Sequence, residues 1–263
     1  MANQPATLTS LTSSLTSQNL PAPHPSFLRT ILTPKSQTKP LAVLSATARH
    51  RLLSADITTP SILSENTTSL PPTLTNVRVV STSIPTDTFV QVLDILDISK
   101  SKWEQIETLE SERKGETTKG REVIRVLPPA EAGENDRGST AATQALGTQA
   151  PNLAQSKGPH KLLLQDVKGM KIWGFELKRV DRIGILGGGG QGMGISIGCK
   201  MWLKKGCKVA RGMVLLEPGG CVVLGGKIEG LDKVWREGRE QRLREEVQRD
   251  RPADGAGNGE DGD

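Results

Sequence analysis

The sequence predicts a mainly β protein with helices: a barrel of five short strands, preceded by a small N-terminal three-helix domain and closed by a C-terminal helix. Four observations predict this fold class. Apolar stripes at helical spacing occupy residues 1–56, and five apolar, β-branched runs bounded by turn residues follow them. A long charged and low-complexity segment, 100–159, separates the first two runs, and an amphipathic stretch, 229–249, comes last.

The N-terminal helices are short. Leu8, Leu11 and Leu15 recur at the spacing of one helix face, and a second helical pattern begins at Pro25. The third, KPLAVLSATARHRLLSADI, has a proline suited to a first turn and a stripe of leucines. Helices of this length need to pack together, so residues 1–56 are predicted as one domain. The lack of acidic residues before Asp56 is also typical of an organelle transit peptide, but the third helix favours a folded domain.

The strand patterns follow a Ser/Thr/Pro-rich linker, 57–76. They read FVQVLDILDI, HKLLLQDV, MKIWGFELKRV, CKMWLKKG and CVVLGGKI, and they begin at Phe89, His160, Met170, Cys199 and Cys221. Five such strands with one long interruption and a closing helix predict a Greek-key barrel of the OB type over 77–250, with an insertion at 100–159. The side chains predicted to be buried include Val92, Leu164, Ile172, Leu203, Val214 and Val223. The acidic, glycine-rich tail, 251–263, is expected to be disordered.

The glycine run GILGGGGQGMGIS contains Gly187-x-Gly189-x-x-Gly192, the spacing of a dinucleotide-binding fingerprint. That fingerprint needs a helix directly after the glycines to hold the pyrophosphate, and an acidic residue about 20 positions further on. Here the β-branched run ISIGCKMWLKKG follows, and the acidic residue is missing at that position. The run is therefore predicted to be a loop between two strands that binds no nucleotide.

Composition and charge exclude several classes of function. The net charge is +5, and the basic side chains between His160 and Arg251 suit nucleic acid or an acidic partner as well as a solvated surface. Cys199, Cys207 and Cys221 form no Cys-x-x-Cys pair, so neither a metal site nor a cofactor is expected. The sequence shows no nucleophile–base pair or carboxylate dyad, which predicts that the chain is not an enzyme. An apolar run of the roughly 18 residues that cross a membrane is also absent.

Barrels of the OB type often bind single-stranded nucleic acid through stacking aromatics and a basic groove. Trp173, Phe175 and Trp202 are the aromatic residues of the second, third and fourth predicted strands. The candidate DNA-binding cations near them are Lys171, Lys178, Arg179, Lys204 and Lys205. The alternative is that the aromatic side chains fill the barrel or pack on the helices.

Several motifs together resemble a known family. They are KPLAVLSATARHRLLSADITT, VQVLDILDIS, KGREVIRVL, GPHKLLLQD, FELKRVDRIGI, KVARGMVLL and VLGGKIEGLDKVWREGR, of which the ARGMVLL…VLGGKIE block is the most specific. They are similar to the fungal form of the RecQ-mediated genome instability protein one family, from about Thr7 to Arg249. The resemblance implies a non-catalytic nuclear subunit that works with a type IA topoisomerase (topoisomerase three) and a RecQ-family helicase. That complex dissolves double Holliday junctions during recombination, replication and repair.

The resemblance also implies partner-binding residues. In that family a long insertion between the first two OB strands reaches into the topoisomerase gate, and it corresponds to Lys100–Pro159 here. The implied contacts in it are Trp103, Arg113, Lys114, Arg121, Val123, Ile124, Arg125, Val126 and Leu127. On the barrel, the match at Gly198-Cys199-Lys200 makes Lys200 a candidate contact.

Some alternatives stay open. The apolar patch Val123–Leu127 could instead fold back on its own barrel. The run Gly187–Gly194 departs from the family pattern and resembles a local insertion. A rival function is that of a stand-alone OB-fold protein that binds single-stranded DNA.

Overall fold

The computed structural model describes residues 7–33, 39–114, 158–185 and 194–250. Within them lie six α-helices: α1 (Leu8–Ser17), α2 (Pro25–Ile31), α3 (Leu41–Ser54), α4 (Lys102–Lys114), α5 (Glu229–Glu237) and α6 (Arg239–Arg249). The same residues form eight strands: β1 (Thr82–Ser83), β2 (Thr88–Asp97), β3 (His160–Asp166), β4 (Lys171–Glu176), β5 (Lys200–Leu203), β6 (Lys208–Ala210), β7 (Met213–Leu216) and β8 (Cys221–Gly225).

Helices α1, α2 and α3 are the three that the leucine spacing predicts, and their ends follow local chemistry. The side chain of Thr7 accepts a hydrogen bond from the backbone N–H of Ser10, which satisfies a donor at the start of α1. Pro25 occupies the first position of α2, where its missing N–H costs nothing. The apolar faces of the three helices meet in one cluster, which includes Leu11, Leu15, Leu28, Leu44, Ala48 and Leu52.

All eight strands belong to one mixed sheet, in the order β1-β6-β7-β4-β3-β2-β5-β8. Strand β2 pairs with β3 on one side and with β5 on the other, whereas β4 pairs with β7 in parallel. The short strand β1 lies just before β2 in the chain and pairs with β6, which lies just after β5. These paired segments curl the sheet back on itself, as an OB barrel requires.

The prediction of five strands is too low. The run predicted as the fifth strand, from Cys221, is β8, and the prediction does not include β1, β6 and β7. Strands of three and four residues are too short to show an alternating pattern, and the turn around Gly206 interrupts the long run that contains β5 and β6. The C-terminal helix is likewise two helices, α5 and α6, which meet at Gly238.

Five of the six side chains predicted to be buried lie in the barrel core, and the sixth, Val223, is partly buried against it. The predicted linker contributes to both cores. Its Ile57 and Leu63 pack with the helices, and its Leu70 and Leu74 pack in the barrel. Phe89 from the barrel in turn packs among the helices. The N-terminal helices are therefore fixed against one side of the sheet.

Candidate functional site

One outer side of the sheet carries an aromatic and apolar surface. Along β4, Ile172, Gly174 and Glu176 are buried, so Trp173 and Phe175 point outward, as the two-residue period of a strand requires. In register, Trp173 lies opposite Leu163 and Met213, and Phe175 lies opposite Lys161 and Leu215. We call these outward residues the outer aromatic face; it comprises Lys161, Leu163, Trp173, Phe175, Met213 and Leu215, and each of them is half-buried.

Two contacts define the geometry of the outer aromatic face. The Nζ atom of Lys161 lies 4.5 Å from the ring centroid of Trp173, which is a cation–π distance. Beneath this pair, a Cβ on Gly174 would lie 3.1 Å from Leu216 Cδ1 and 3.2 Å from Leu164 Cδ1. The barrel core therefore leaves little room for any side chain larger than glycine at this position.

Trp202 lies on a different part of the surface. Its Nε1–H donates a hydrogen bond of 2.8 Å to the backbone oxygen of Asn19, and its ring meets Phe89 edge to face at a centroid distance of 5.1 Å. It packs with the N-terminal helices. Of the two predicted roles for the aromatic side chains, Trp202 therefore has that of packing on the helices. Trp173 and Phe175 are the aromatic residues left for a stacking surface.

The structure does not bring the candidate DNA-binding cations into one groove. Lys171 begins β4, whereas Lys178 and Arg179 follow its far end, a separation of about 20 Å along a strand of this length. Lys178 pairs with Glu217 at 3.1 Å, and Arg179 pairs with the buried Glu176 at 3.5 Å.

The other two cations, Lys204 and Lys205, lie in the turn between β5 and β6. Lys204 pairs with Asp87 at 3.0 Å, and the backbone N–H of Lys205 donates to the same carboxylate. These bonds, first that from Lys205 and then that from Lys204, hold the pKa of Asp87 below its usual value.

Lys200, the predicted partner contact on the barrel, does not lie at the surface of the chain as it stands, because its side chain is 0% exposed. It lies beside Gln91, whose side-chain amide bonds to Asp56 and Ile57, so the segment after α3 covers this part of the sheet. Its Nζ donates to the backbone oxygen of Gly198. Burial lowers the pKa of Lys200 to about 8, against the opposing influence of Cys199 and Asp56.

The described part of the insertion is a helix that the sequence did not predict. In α4, Ile106 is buried against Leu243 and Val247 of α6. Lys102 adds ion pairs of 3.0 Å to Glu246 and 2.7 Å to Asp250. The sequence of α6 is amphipathic, but that of α4 has little apolar periodicity, so only the fold shows that the two helices pair.

The predicted contacts in the insertion lie in two places. Trp103 is 51% exposed on α4, while Arg113 and Lys114 are exposed at its end and Arg113 pairs with Glu240 at 3.4 Å. The remaining predicted contacts lie outside the described residues; they are Arg121, Val123, Ile124, Arg125, Val126 and Leu127.

The glycine run joins two parts of the barrel. Residues 186–193 lie outside the described residues, but their flanks meet where the N–H of Ile195 donates to the oxygen of Gly184 at 2.9 Å. The chain then continues through a turn into strand β5. Among the described residues from 194 to 203, the helix that a dinucleotide fingerprint needs after its glycines is absent.

The cysteines are buried free thiols. Burial raises the pKa of Cys199 and Cys207 to about 11 and that of Cys221 to about 12. Across residues 7–33, 39–114, 158–185 and 194–250, no group of three or more His, Cys, Asp or Glu side chains could hold a metal ion. In the same ranges, every helix is too short or too polar to span a bilayer.

Comparisons with known proteins fit this geometry. Residues 66–239 match the family model described as "RMI1, N-terminal OB-fold domain". The chain is also similar to the protein named RecQ-mediated genome instability protein 1 from Schizosaccharomyces pombe, with 28% identity over 158 residues. That alignment covers 60% of this chain and 61% of the relative, so the match spans less than two thirds of either protein.

Proposed function

Because the chain belongs to the family of the RMI1 N-terminal OB-fold domain, we propose that it is a non-catalytic subunit of a nuclear complex between a RecQ helicase and a type IA topoisomerase. Its role in genome maintenance is to stimulate decatenation and the dissolution of double Holliday junctions during recombination, replication and repair.

The observation that carries this proposal is the extent of the family match. It runs from residue 66 to residue 239, so it includes strands on both sides of the insertion and helix α5. The relationship therefore covers the barrel together with the point from which the insertion leaves it. The name of the relative from Schizosaccharomyces pombe associates that protein with RecQ.

The attachment of the insertion supports a mechanical role. Gln105 on α4 donates to the backbone oxygen of Asp97 at 3.0 Å and accepts from Arg239 at 3.1 Å. These bonds and the apolar contacts to α6 fix the first helix of the insertion against the C-terminal helices. Residues 115–157 then start from a fixed base, from which they would reach the gate of a topoisomerase. A partner can favour one state of that gate only by binding it more tightly than the other.

The outer aromatic face replaces Lys200 as the proposed docking surface for the topoisomerase on the barrel. Aromatic residues and methionine are enriched at the centres of protein interfaces. Trp173 and Met213 lie opposite each other in neighbouring strands, and both are half-buried. The N-terminal helices cover a different part of the sheet, around Phe89 and Trp202.

A second candidate function is single-stranded DNA binding, which the pairing of Lys161 with Trp173 favours. Bases stack on aromatic rings, and a cation above such a ring can meet a phosphate. The two candidates differ in salt dependence, because DNA binding weakens steeply as salt rises.

The test uses co-purification with a type IA topoisomerase, a decatenation assay, and DNA titration at two salt concentrations. Trp173→Glu places a charge on the outer aromatic face and should weaken complex formation by at least about tenfold. Val234→Glu is the matched control, since Val234 is 70% exposed on α5. If both variants bind the topoisomerase equally well, docking does not use the outer aromatic face.

A separate variant tests the insertion. Changing Ile124 and Val126 to aspartate should leave the complex assembled but reduce decatenation. Normal decatenation by this double variant would show that the insertion is only a connection between strands. Tight, salt-sensitive DNA binding by the isolated chain, without binding to the topoisomerase, would favour the second candidate function.

A further inference from the structure

The segment that leads into the barrel, 79–84, forms an unpaired edge of the sheet. Its inner side is bonded to the chain around β6: the N–H of Arg211 donates to the oxygen of Val79, and the N–H of Ile84 donates to the oxygen of Cys207. Strand β1 pairs only with β6 among the residues that the structure describes. Regular pairing is confined to Thr82 and Ser83, and the bond from Arg211 to Val79 extends the contact between the two segments.

Backbone groups on the outer side of this edge are available for hydrogen bonds. Ile84 directs both its N–H and its oxygen toward the β6 side, where it bonds with Cys207 and Gly206. Because backbone groups alternate along an antiparallel strand, those of Ser83, between Thr82 and Ile84, point the other way. Ser83 is exposed, as are Ser81 and Thr82 before it.

The side chains on and beside the edge are apolar or basic. Val77 and Val80 are each 66% exposed, which is unusual for valine. Arg78, Lys208 and Arg211 are exposed cations, and none of them makes an ion pair within the described ranges. Lys208 lies directly across from Ser83 in the register of β1 and β6. Natural proteins usually protect an exposed, β-branched edge, because it can pair with another strand.

We propose that the 79–84 edge is a docking site for an extended, acidic peptide segment of a partner protein, which adds as a further strand beside β1. Backbone hydrogen bonds to Ser83 provide the pairing, and Val80 packs with apolar side chains of the peptide. Carboxylates of the peptide meet Arg78, Lys208 and Arg211. This surface is distinct from the outer aromatic face and does not depend on the proposed function.

Two other occupants fit the edge less well. A second copy of the chain would bring the same three cations to the same edge, and like charges oppose that pairing. Single-stranded nucleic acid would meet those cations, but residues 75–84 and 204–213 contain no aromatic ring on which a base could stack.

The experiment uses the full chain and a fluorescent synthetic peptide of alternating valine and glutamate, with a valine–lysine peptide as its charge control. Anisotropy at low salt should show binding of the glutamate peptide at least about tenfold tighter than that of the lysine peptide. Hydrogen exchange should slow at Ser83 when the glutamate peptide is bound. Equal binding of the two peptides would overturn the charge argument.

Ser83→Pro is the decisive variant, because proline removes the outward N–H and leaves the bonds to β6 intact. It should weaken binding of the glutamate peptide by at least about tenfold, whereas Ser83→Ala, which keeps the N–H, should bind like the wild type. If Ser83→Pro fails to fold, the double variant Arg78→Glu, Lys208→Glu decides instead, and it should lose binding to a similar degree.

Three results would overturn the proposal. The first is unchanged peptide binding by Ser83→Pro or, where that variant does not fold, by the charge-reversed variant. The second is self-association of the wild-type chain in sedimentation that Ser83→Pro abolishes, which would assign the edge to a second copy. The third is displacement of the bound peptide by oligo-dT at equal concentration, which would assign the edge to nucleic acid.

Discussion

Replacing Leu164 by alanine tests the assignment of inner and outer faces on which the outer aromatic face depends. Leu164 is 0% exposed in the barrel core, and it lies opposite Ile172 in the register of β3 and β4. Its Cδ1 atom lies close to Gly174, which has no side chain that could move into the space left by the deletion. The expected loss of unfolding free energy is therefore in the upper part of the usual range, about 3–5 kcal/mol.

The assay is thermal and urea unfolding of the full chain, with Leu163→Ala as the matched control. A loss of this size should lower the unfolding midpoint by roughly 6–20 °C in a chain of this size. Leu163 is the neighbour of Leu164 on β3, but it points to the outer face and is half-buried, so its truncation should cost about 1 kcal/mol or less. If Leu163→Ala destabilised the chain more than Leu164→Ala, the faces would be reversed and the outer aromatic face would not exist.

Three further predictions follow from the fold. Lys200→Met should stabilise the chain at pH 7 by up to about 3 kcal/mol, because burial lowers the pKa of Lys200 from 10.5 to about 8 and so penalises its charged form. Between these two pKa values the unfolded chain binds more protons than the folded chain, so Lys200 makes stability rise with pH from about 8 to 10.5. The stability gained by Lys200→Met should therefore shrink over that pH range. Urea unfolding of both proteins measures this gain, and a gain that does not change with pH would contradict the prediction. Shortening the run 187–194 should leave the unfolding midpoint nearly unchanged, and calorimetry with a dinucleotide should detect no binding before or after the deletion. Ile106→Asp should separate α4 from α6, and amide hydrogen exchange should then become faster in both helices. If exchange in α4 stayed slow, the ion pairs alone would be enough to keep α4 on α6.

The sequence alone is enough to locate the long elements. Strands β2, β3 and β4 and helices α1 and α3 follow from periodicity, because each repeats its apolar pattern often enough to be recognised. The family also follows from the sequence motifs, and the family model confirms it over residues 66–239. The outward direction of Trp173 and Phe175 relative to Ile172 follows from the two-residue period of a strand.

Contacts between distant segments depend on the tertiary structure. Lys200 is a lysine in a basic stretch, and only the segment after α3, which is bonded to Gln91, buries it. Helix α4 packs against α6, which lies more than a hundred residues later in the chain. Trp202 donates a hydrogen bond to the backbone oxygen of Asn19, which lies far from it in the sequence. The edge at 79–84 is recognisable only because β6 pairs with one side of it. Local patterns depend on neighbours along the chain, whereas burial and exposure depend on which segments meet in space.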